Sequence, residues 1–327
     1  MAALVCKQYG APEMLTFEQL PKPSPKPGEL LIRVVTSTIT TGDRRVRSMD
    51  VPKGFRILGR LALGWRGPRN PVLGATFAGI VEAIGQGAIG FVPGDAVFGI
   101  RGYRMGGHAE YLCMPATGAV AHKPVHTSFA EAAALPFGGG TALYFLRRAK
   151  LLPGETILIN GASGNVGTAA LQLARDMGGA VTGVCSAAHA DAVRALGATR
   201  LIDYQQQDFT ASPRRFDVVF DVACNRSVER CLNILNPGGR LIRLQSDLPE
   251  LFGGMLRPSR GDRQLIVGTA EERADDLQRL AELVRLGRFR PAIARVFPFP
   301  QAIEAHRHAD RANHGGSIVI KMNALAG

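Results

Sequence analysis

Apolar residues along this chain follow two different rhythms. Up to about residue 122 they come in short runs rich in β-branched residues, punctuated by Gly and Pro. Examples are "ELLIRVVTSTI" (29–39), the alternating "FAGIVEAIG" (77–85), and "AVFGI" after the turn "PGD" (93–95). Such runs without a sustained helical period predict strands. Beyond 122 the spacing changes. "SFAEAAALPFGGGTALYFLRRAKLL" predicts two helical stretches split by Pro136 and a glycine triplet. After it, "TILIN" (156–160), "AVTGVC" (180–185), "FDVVFDV" (216–222), "GRLIRL" (239–244) and "QLIVG" (264–268) read as strands. Helical patterns from Asn165, in "HADAVRALG" and in "SVERCLNIL" stand between them. That alternation predicts an α/β chain with a doubly wound parallel sheet. An amphipathic helix follows, with Leu277, Leu280, Leu283, Val284 and Leu286 near one face. A further helix over "FPFPQAIEAHRHADR" and a last strand "GSIVIKM" complete the chain.

The length of 327 residues exceeds what one core usually supports, so two domains are expected. The net charge is +12, which favours anionic ligands. The basic residues are scattered, and no base-reading motif occurs, so the charge reads as a solvated surface and nucleic acid is not the expected partner. Residues 52–71 are basic and apolar and hold the single tryptophan, Trp65; they read as a loop or short helix beside a site or interface. The five cysteines are odd in number and form no CxxC pair, which predicts free thiols in a reducing compartment. The first residues lack a signal-peptide pattern, and no apolar run approaches the ~18 residues of a membrane span. A cytoplasmic protein without a membrane partner is expected.

Gly161, Gly164 and Gly167 stand between the strand "TILIN" and the helix from Asn165. In that context the spacing predicts a dinucleotide cradle. The first glycine permits the turn, the second admits a pyrophosphate, and the third lets helix and strand pack closely. A hydrolase elbow would need a final glycine where Asn165 stands, and no P-loop Gly-Lys-Ser/Thr occurs. The next strand ends in Cys185-Ser186-Ala187-Ala188-His189, without the acid that usually holds an NAD ribose. NADPH is therefore expected ahead of NADH, with Ser186, His189 and Tyr204 as candidate phosphate contacts.

"LPFGGGTALYFL", "GASGNVGTAALQLARDMGG", "LGATRLIDY" and the opening "YGAPEMLTFEQLPKPSPKPGELLIRV" resemble the medium-chain dehydrogenase/reductase superfamily, nearly end to end. Within it the chain is similar to the zinc-independent quinone oxidoreductase branch related to zeta-crystallin. The resemblance implies a GroES-like domain over 1–122, a Rossmann cofactor domain over 123–270, and a return to the first domain over 271–327. It implies that Gly161, Ala162, Ser163, Gly164, Asn165, Val166 and Gly167 hold the pyrophosphate. It also implies that Thr141 lies near the nicotinamide, that Ser186, Tyr204 and Arg311 lie near the adenosine phosphate, and that the protein is a homodimer. Where zinc-holding relatives carry ligands, this chain reads "TITTGD" (38–43) and Gly74-Ala75-Thr76, so no zinc is expected. His306 and His308 point to different helix faces and make a poor chelate.

Without a Lewis acid, reduction of an electron-poor acceptor is the chemistry that needs least help. The expected reaction is hydride transfer to a quinone or another α,β-unsaturated carbonyl, with "TTGDRRVR" (40–47) lining the site. Thr40 is a candidate donor, Asp43 a candidate proton relay or arginine orienter, and Arg45 or Arg47 a candidate oxyanion partner. Two alternatives stand: an enoyl-thioester reductase, and an NADPH-binding sensor or RNA-binding protein of low activity.

Overall fold

The structure is a computed structural model that describes residues 1–50, 56–245, 262–311 and 315–322. The chain forms two compact units. One runs from the start through Phe137 and resumes at Glu272; the other spans Gly138–Glu271. The chain crosses between them later than the 122/123 boundary expected from the sequence.

The first unit opens with β1 (Ala2–Cys6), buried along its whole length and paired antiparallel with β2 (Leu15–Gln19). The long β3 (Glu29–Ile39) follows, then α1 (Thr41–Ser48) and α2 (Arg56–Leu63). Strands β4 (Thr76–Ile84), β5 (Ala96–Ile100), β6 (Tyr111–Pro115) and β7 (Val120–His122) complete this stretch.

Helix α3 (Phe129–Arg148) is continuous, and Pro136 lies inside it. The sequence predicts a break there. The helix persists because apolar residues on both sides of the proline are buried: Ala132 to Leu135 before it, and Ala142, Leu143, Phe145 and Leu146 after it. Together they outweigh one lost backbone hydrogen bond. Gly138 serves contact, since a Cβ there would stand 2.1 Å from Asn165 Oδ1.

The second unit is built from β8 (Thr156–Asn160), α4 (Asn165–Asp176), β9 (Ala180–Cys185), α5 (Ala190–Ala195) and β10 (Arg200–Asp203). It continues with β11 (Phe216–Asp221), α6 (Val228–Asn233), β12 (Leu235–Arg243) and β13 (Gln264–Val267). The six strands are parallel in the order β10-β9-β8-β11-β12-β13. In chain order that is 3-2-1-4-5-6, the doubly wound arrangement of a Rossmann sheet, whose order reverses between β8 and β11. The apolar runs read as strands because both faces are covered. Leu158, Val184, Val219 and Leu241 are buried in one cluster with Phe209, Phe216 and Ile234.

The tail contains α7 (Ala274–Arg285), β14 (Ile293–Pro298), α8 (Ala302–Asp310) and β15 (Ser317–Lys321). Leu277, Leu280 and Leu283 of α7 are buried, but Leu286 is not on that face. It caps the helix end, and Gly287 then takes φ +68°, the left-handed stop that favours glycine. Strand β15 pairs antiparallel with β3, Ile318 opposite Ile39, and parallel with β14. The tail thereby extends the first unit's sheet to β14-β15-β3-β4-β5-β7, with β6 also on β3. No helix among the described residues is long and apolar enough to cross a membrane.

Candidate cofactor site and active-site residues

The glycine loop sits at the carboxyl end of β8, at the point where the strand order reverses. Such crevices are where open α/β sheets bind ligands. Gly161 and Ala162 give their N–H groups to the Val184 carbonyl at 3.2 and 3.0 Å, which ties the loop to β9. Gly161 has φ +85°, and a Cβ there would meet Ala223 at 3.3 Å. A Cβ on Gly167 would stand 2.1 Å from the Gly161 carbonyl oxygen, so the α4 crossing requires glycine. Gly164 is different. It is the N-cap of α4 at φ −75°, an ordinary value, and a Cβ there would meet nothing nearer than Gly161 O at 3.5 Å. It also offers no side chain to accept from the first-turn N–H groups, which include those of Asn165, Val166 and Gly167. Ser163 is half-buried beside them.

The neighbouring strand ends bring Ser186, His189 and Tyr204 to the same edge. Ser186 follows β9, is buried, and makes no capping bond with its side chain. His189 ends the short turn that follows and is half-buried. Tyr204 follows β10, and its N–H reaches the Cys185 carbonyl at 3.3 Å. Thr141 lies half-buried within α3.

The sequence reading missed a polar network beside this loop. Asn160 Nδ2 donates to Asp221 Oδ1 at 2.7 Å and to Asn225 Oδ1 at 2.9 Å. The Cys224 N–H donates to Asp221 Oδ1 at 2.9 Å. Arg243 Nη1 lies 3.2 Å from Asp221 Oδ2 and donates to the Arg226 carbonyl at 2.7 Å. Asp221 is fully buried, and Cys224 is held at φ +52°. The signal was present: Asn160 and Asp221 are polar residues closing two apolar strands, side by side at the point of reversal.

In the first unit, Thr40 and Asp43 form a capping box at the start of α1. Asp43 Oδ2 accepts from the Thr40 N–H at 2.8 Å and from its hydroxyl at 2.6 Å, while Asp43 Oδ1 accepts from the Gly74 N–H at 2.7 Å. Another carboxylate on this helix pair engages an arginine. Arg47, buried, pairs with Asp310 on α8, and Asp310 also receives Arg44 Nε at 3.2 Å. Arg45 is half-buried on α1, and Arg311 is exposed at the end of α8. His108 and His306 are fully buried, with ring centroids 5.4 Å apart. Burial holds both imidazoles below their ordinary pKa, His306 well below.

Comparison with known proteins adds the family. Residues 26–125 match the alcohol dehydrogenase GroES-like domain and residues 196–320 the zinc-binding dehydrogenase domain. The pig (Sus scrofa) quinone oxidoreductase is 30% identical over 94% of this chain and 93% of its own length. The chain belongs to the medium-chain dehydrogenase/reductase superfamily, in its quinone oxidoreductase-like branch. A solved quinone oxidoreductase from Coxiella burnetii superposes with a TM-score of 0.86 over 99% of both chains, at 27% identity. A pikromycin polyketide synthase component, PikAII of Streptomyces venezuelae, is 34% identical over 80% of this chain, which spans only 7% of that much longer protein.

As a member of this superfamily the chain is an oxidoreductase. Thr38 Oγ1 and Thr76 Oγ1 lie 2.6 Å apart, both buried. Among the described residues no group of three or more His, Cys, Asp or Glu is placed to hold a metal. Burial pushes Cys6 and Cys224 up to about 11 and Cys231 up to about 12.

Proposed function

We propose that this oxidoreductase uses NADPH to reduce quinones and other α,β-unsaturated carbonyls without a metal. The observation that carries the reading is Gly164. The protein's own packing explains Gly161 and Gly167, but nothing in the fold requires glycine at 164. A pyrophosphate laid across the start of α4 does. The N–H groups of Asn165, Val166 and Gly167 would receive its oxygens, helped by the helix dipole. When bound, NADPH supplies the hydride, and the chain supplies placement and electrostatics.

The preference for NADPH rests on the end of β9. Cys185 through Ala190 hold no acid, so this stretch itself brings no carboxylate to a 2′-phosphate, and Asp203 lies across from Cys185 on β10. Ser186, Tyr204, His189 and Arg311 are the proposed phosphate contacts, and Thr141 the residue near the nicotinamide. For the acceptor, Thr40 and Asp43 hold the start of α1. The Thr40 hydroxyl already donates to Asp43, so this pair positions the helix. Arg45 on the same helix is the proposed partner of the oxyanion that forms as hydride arrives. The working form is proposed to be a homodimer.

Loss of nicotinamide absorbance tests the reading, with NADPH and then NADH against an ortho-quinone, a para-quinone, a simple enone and an enoyl-thioester, each with and without chelator. Turnover of quinones or enones with NADPH, unaffected by chelator, is expected. Turnover of the thioester alone would replace the acceptor. NADPH binding with no turnover of any acceptor would overturn the reductase.

A further inference from the structure

Helix α2 is inside out. Surface helices bury their apolar stripe and expose their polar one. Here Ile57, Leu58 and Leu61, which share one face by helical spacing, are 71%, 58% and 57% exposed. Leu63, on the opposite side, packs against the core of the first unit. Trp65, just past the helix, is 62% exposed and carries the Arg60 guanidinium 5.6 Å from its ring.

The face is held in place. Arg69 Nη2 donates to the Leu61 carbonyl at 2.7 Å, and the Tyr9 hydroxyl to the Gly64 carbonyl at 2.8 Å. Gly67 lies so close to Lys7 that a Cβ would stand 2.0 Å from the Lys7 carbonyl oxygen. The charge carried by this stretch of chain has one sign. Arg60, Arg66 and Arg69 surround it, and no Asp or Glu occurs anywhere from Val51 to Val81.

We propose that this face docks on an anionic lipid surface. An apolar stripe with a flanking tryptophan and arginines, and no acid, is the composition of a helix that lies in the headgroup boundary. A second copy of the chain suits the face poorly. A twofold contact brings the same patch against itself, and here that sets arginines against arginines with no carboxylate between them. A nucleic acid would use the arginines but would leave Ile57, Leu58 and Leu61 in water. The docking is peripheral and does not depend on the reaction proposed above. It assigns a membrane surface to a stretch that the sequence read only as lying beside a site or interface.

Trp65 is the protein's single tryptophan, so its emission reports on this face alone. The whole protein is titrated with phosphatidylcholine vesicles with and without phosphatidylglycerol, following emission, acrylamide quenching and co-sedimentation, without cofactor. A blue shift, protection from quencher and sedimentation with the anionic vesicles only, all weakened by added salt, are expected. Arg66→Gln is expected to lower the affinity about fivefold. The pair Ile57→Ser and Leu61→Ser is expected to lower it about a hundredfold. Both positions are exposed, so the thermal midpoint is expected to hold.

Absence of any shift or co-sedimentation would overturn the proposal. So would equal binding to neutral vesicles, or affinity unchanged in the Ile57 and Leu61 double variant. A blue shift that grows with protein concentration alone, with a rise in sedimenting mass, would assign the face to a second copy. Emission changes with transfer RNA but with no vesicle would assign it to nucleic acid.

Discussion

Arg47 and Asp310 join α1 to α8 through a two-pronged ion pair. Arg47 Nη2 lies 2.6 Å from Oδ1 and 2.7 Å from Oδ2 of Asp310. The arginine side chain is 2% exposed and the aspartate side chain 35%. Removing the carboxylate would leave a buried cation without its partner. Fully buried pairs cost about 3–5 kcal/mol to break in this way, and the partial exposure of Asp310 reduces that. Asp310→Asn is expected to lower the unfolding free energy by about 2–3 kcal/mol. Arg44→Gln, at a position 41% exposed, is expected to cost less than about 1 kcal/mol. Urea unfolding of the two variants checks the order; equal losses would show that burial of Arg47 is not the cause.

The buried histidines make stability sensitive to acid. His108 Nδ1 meets Ser37 Oγ at 2.8 Å, while His108 Nε2 and both His306 nitrogens have no hydrogen-bond partner among the described residues. Burial lowers both pKa values. Asp43 opposes this at His108, and the charges of His108 and Arg47 add to it at His306. In the unfolded chain both rings titrate near about 6.5. Below that pH the unfolded state takes up protons that the folded state refuses. Stability is therefore complete above about 6.5 and falls as pH drops towards the folded values, by up to about 1.4 kcal/mol per pH unit for each ring. Urea unfolding at pH 7.5 and 5.5 measures the slope. His306→Leu is expected to remove its share, and an unchanged slope would place the proton uptake elsewhere.

The strands of the second unit were legible because a parallel strand covered on both faces is a continuous apolar run, as in "TILIN". The glycine loop was legible because its spacing falls at a strand-to-helix junction. Helix α3 was misread because Pro136 and the glycines look like a break. Only the structure shows Gly138 lying against Asn165. The Thr40-x-x-Asp43 spacing is itself a capping signal, and reading those residues for chemistry alone passed over it. Asp310 stands 263 positions from Arg47, and no local pattern pairs residues at that distance. The outward face of α2 was hidden for a related reason. Periodicity shows that a helix has an apolar side but does not say which side meets the core.

Gly164 and Gly167 are expected to fail in opposite ways when changed to alanine. At Gly167 the new methyl would stand 2.1 Å from the Gly161 carbonyl oxygen, so α4 must move, at a cost of several kcal/mol or a failure to fold. At Gly164 the methyl meets nothing nearer than 3.5 Å and φ is −75°, so stability is expected to change by only about 1 kcal/mol. The same methyl would occupy the space proposed for the pyrophosphate, and NADPH affinity is expected to fall at least about tenfold. Chemical unfolding and a cofactor titration on one preparation read both effects. Unchanged NADPH affinity in Gly164→Ala would leave the glycine without the role proposed for it.

Asp221 and Arg243 are expected to behave as one energetic unit at the point of strand reversal. Their side chains are 0% and 6% exposed, and 3.2 Å separates the Arg243 Nη1 from Asp221 Oδ2. Arg243→Met would leave the carboxylate buried with the Asn160 amide, the Cys224 N–H and the weak Cys231 thiol as partners but no cation, at a cost of about 3–5 kcal/mol. Asp221→Asn would take the carboxylate away from the buried guanidinium, at a similar cost. The double variant leaves neither charge uncompensated, so its loss should be smaller than the sum of the two by at least about 1 kcal/mol. Because the 222–226 loop lies against Gly161, NADPH affinity is expected to track stability through the cycle. Additive losses would mean that each residue acts through its own backbone bonds, and that the ion pair itself contributes nothing to holding the glycine loop.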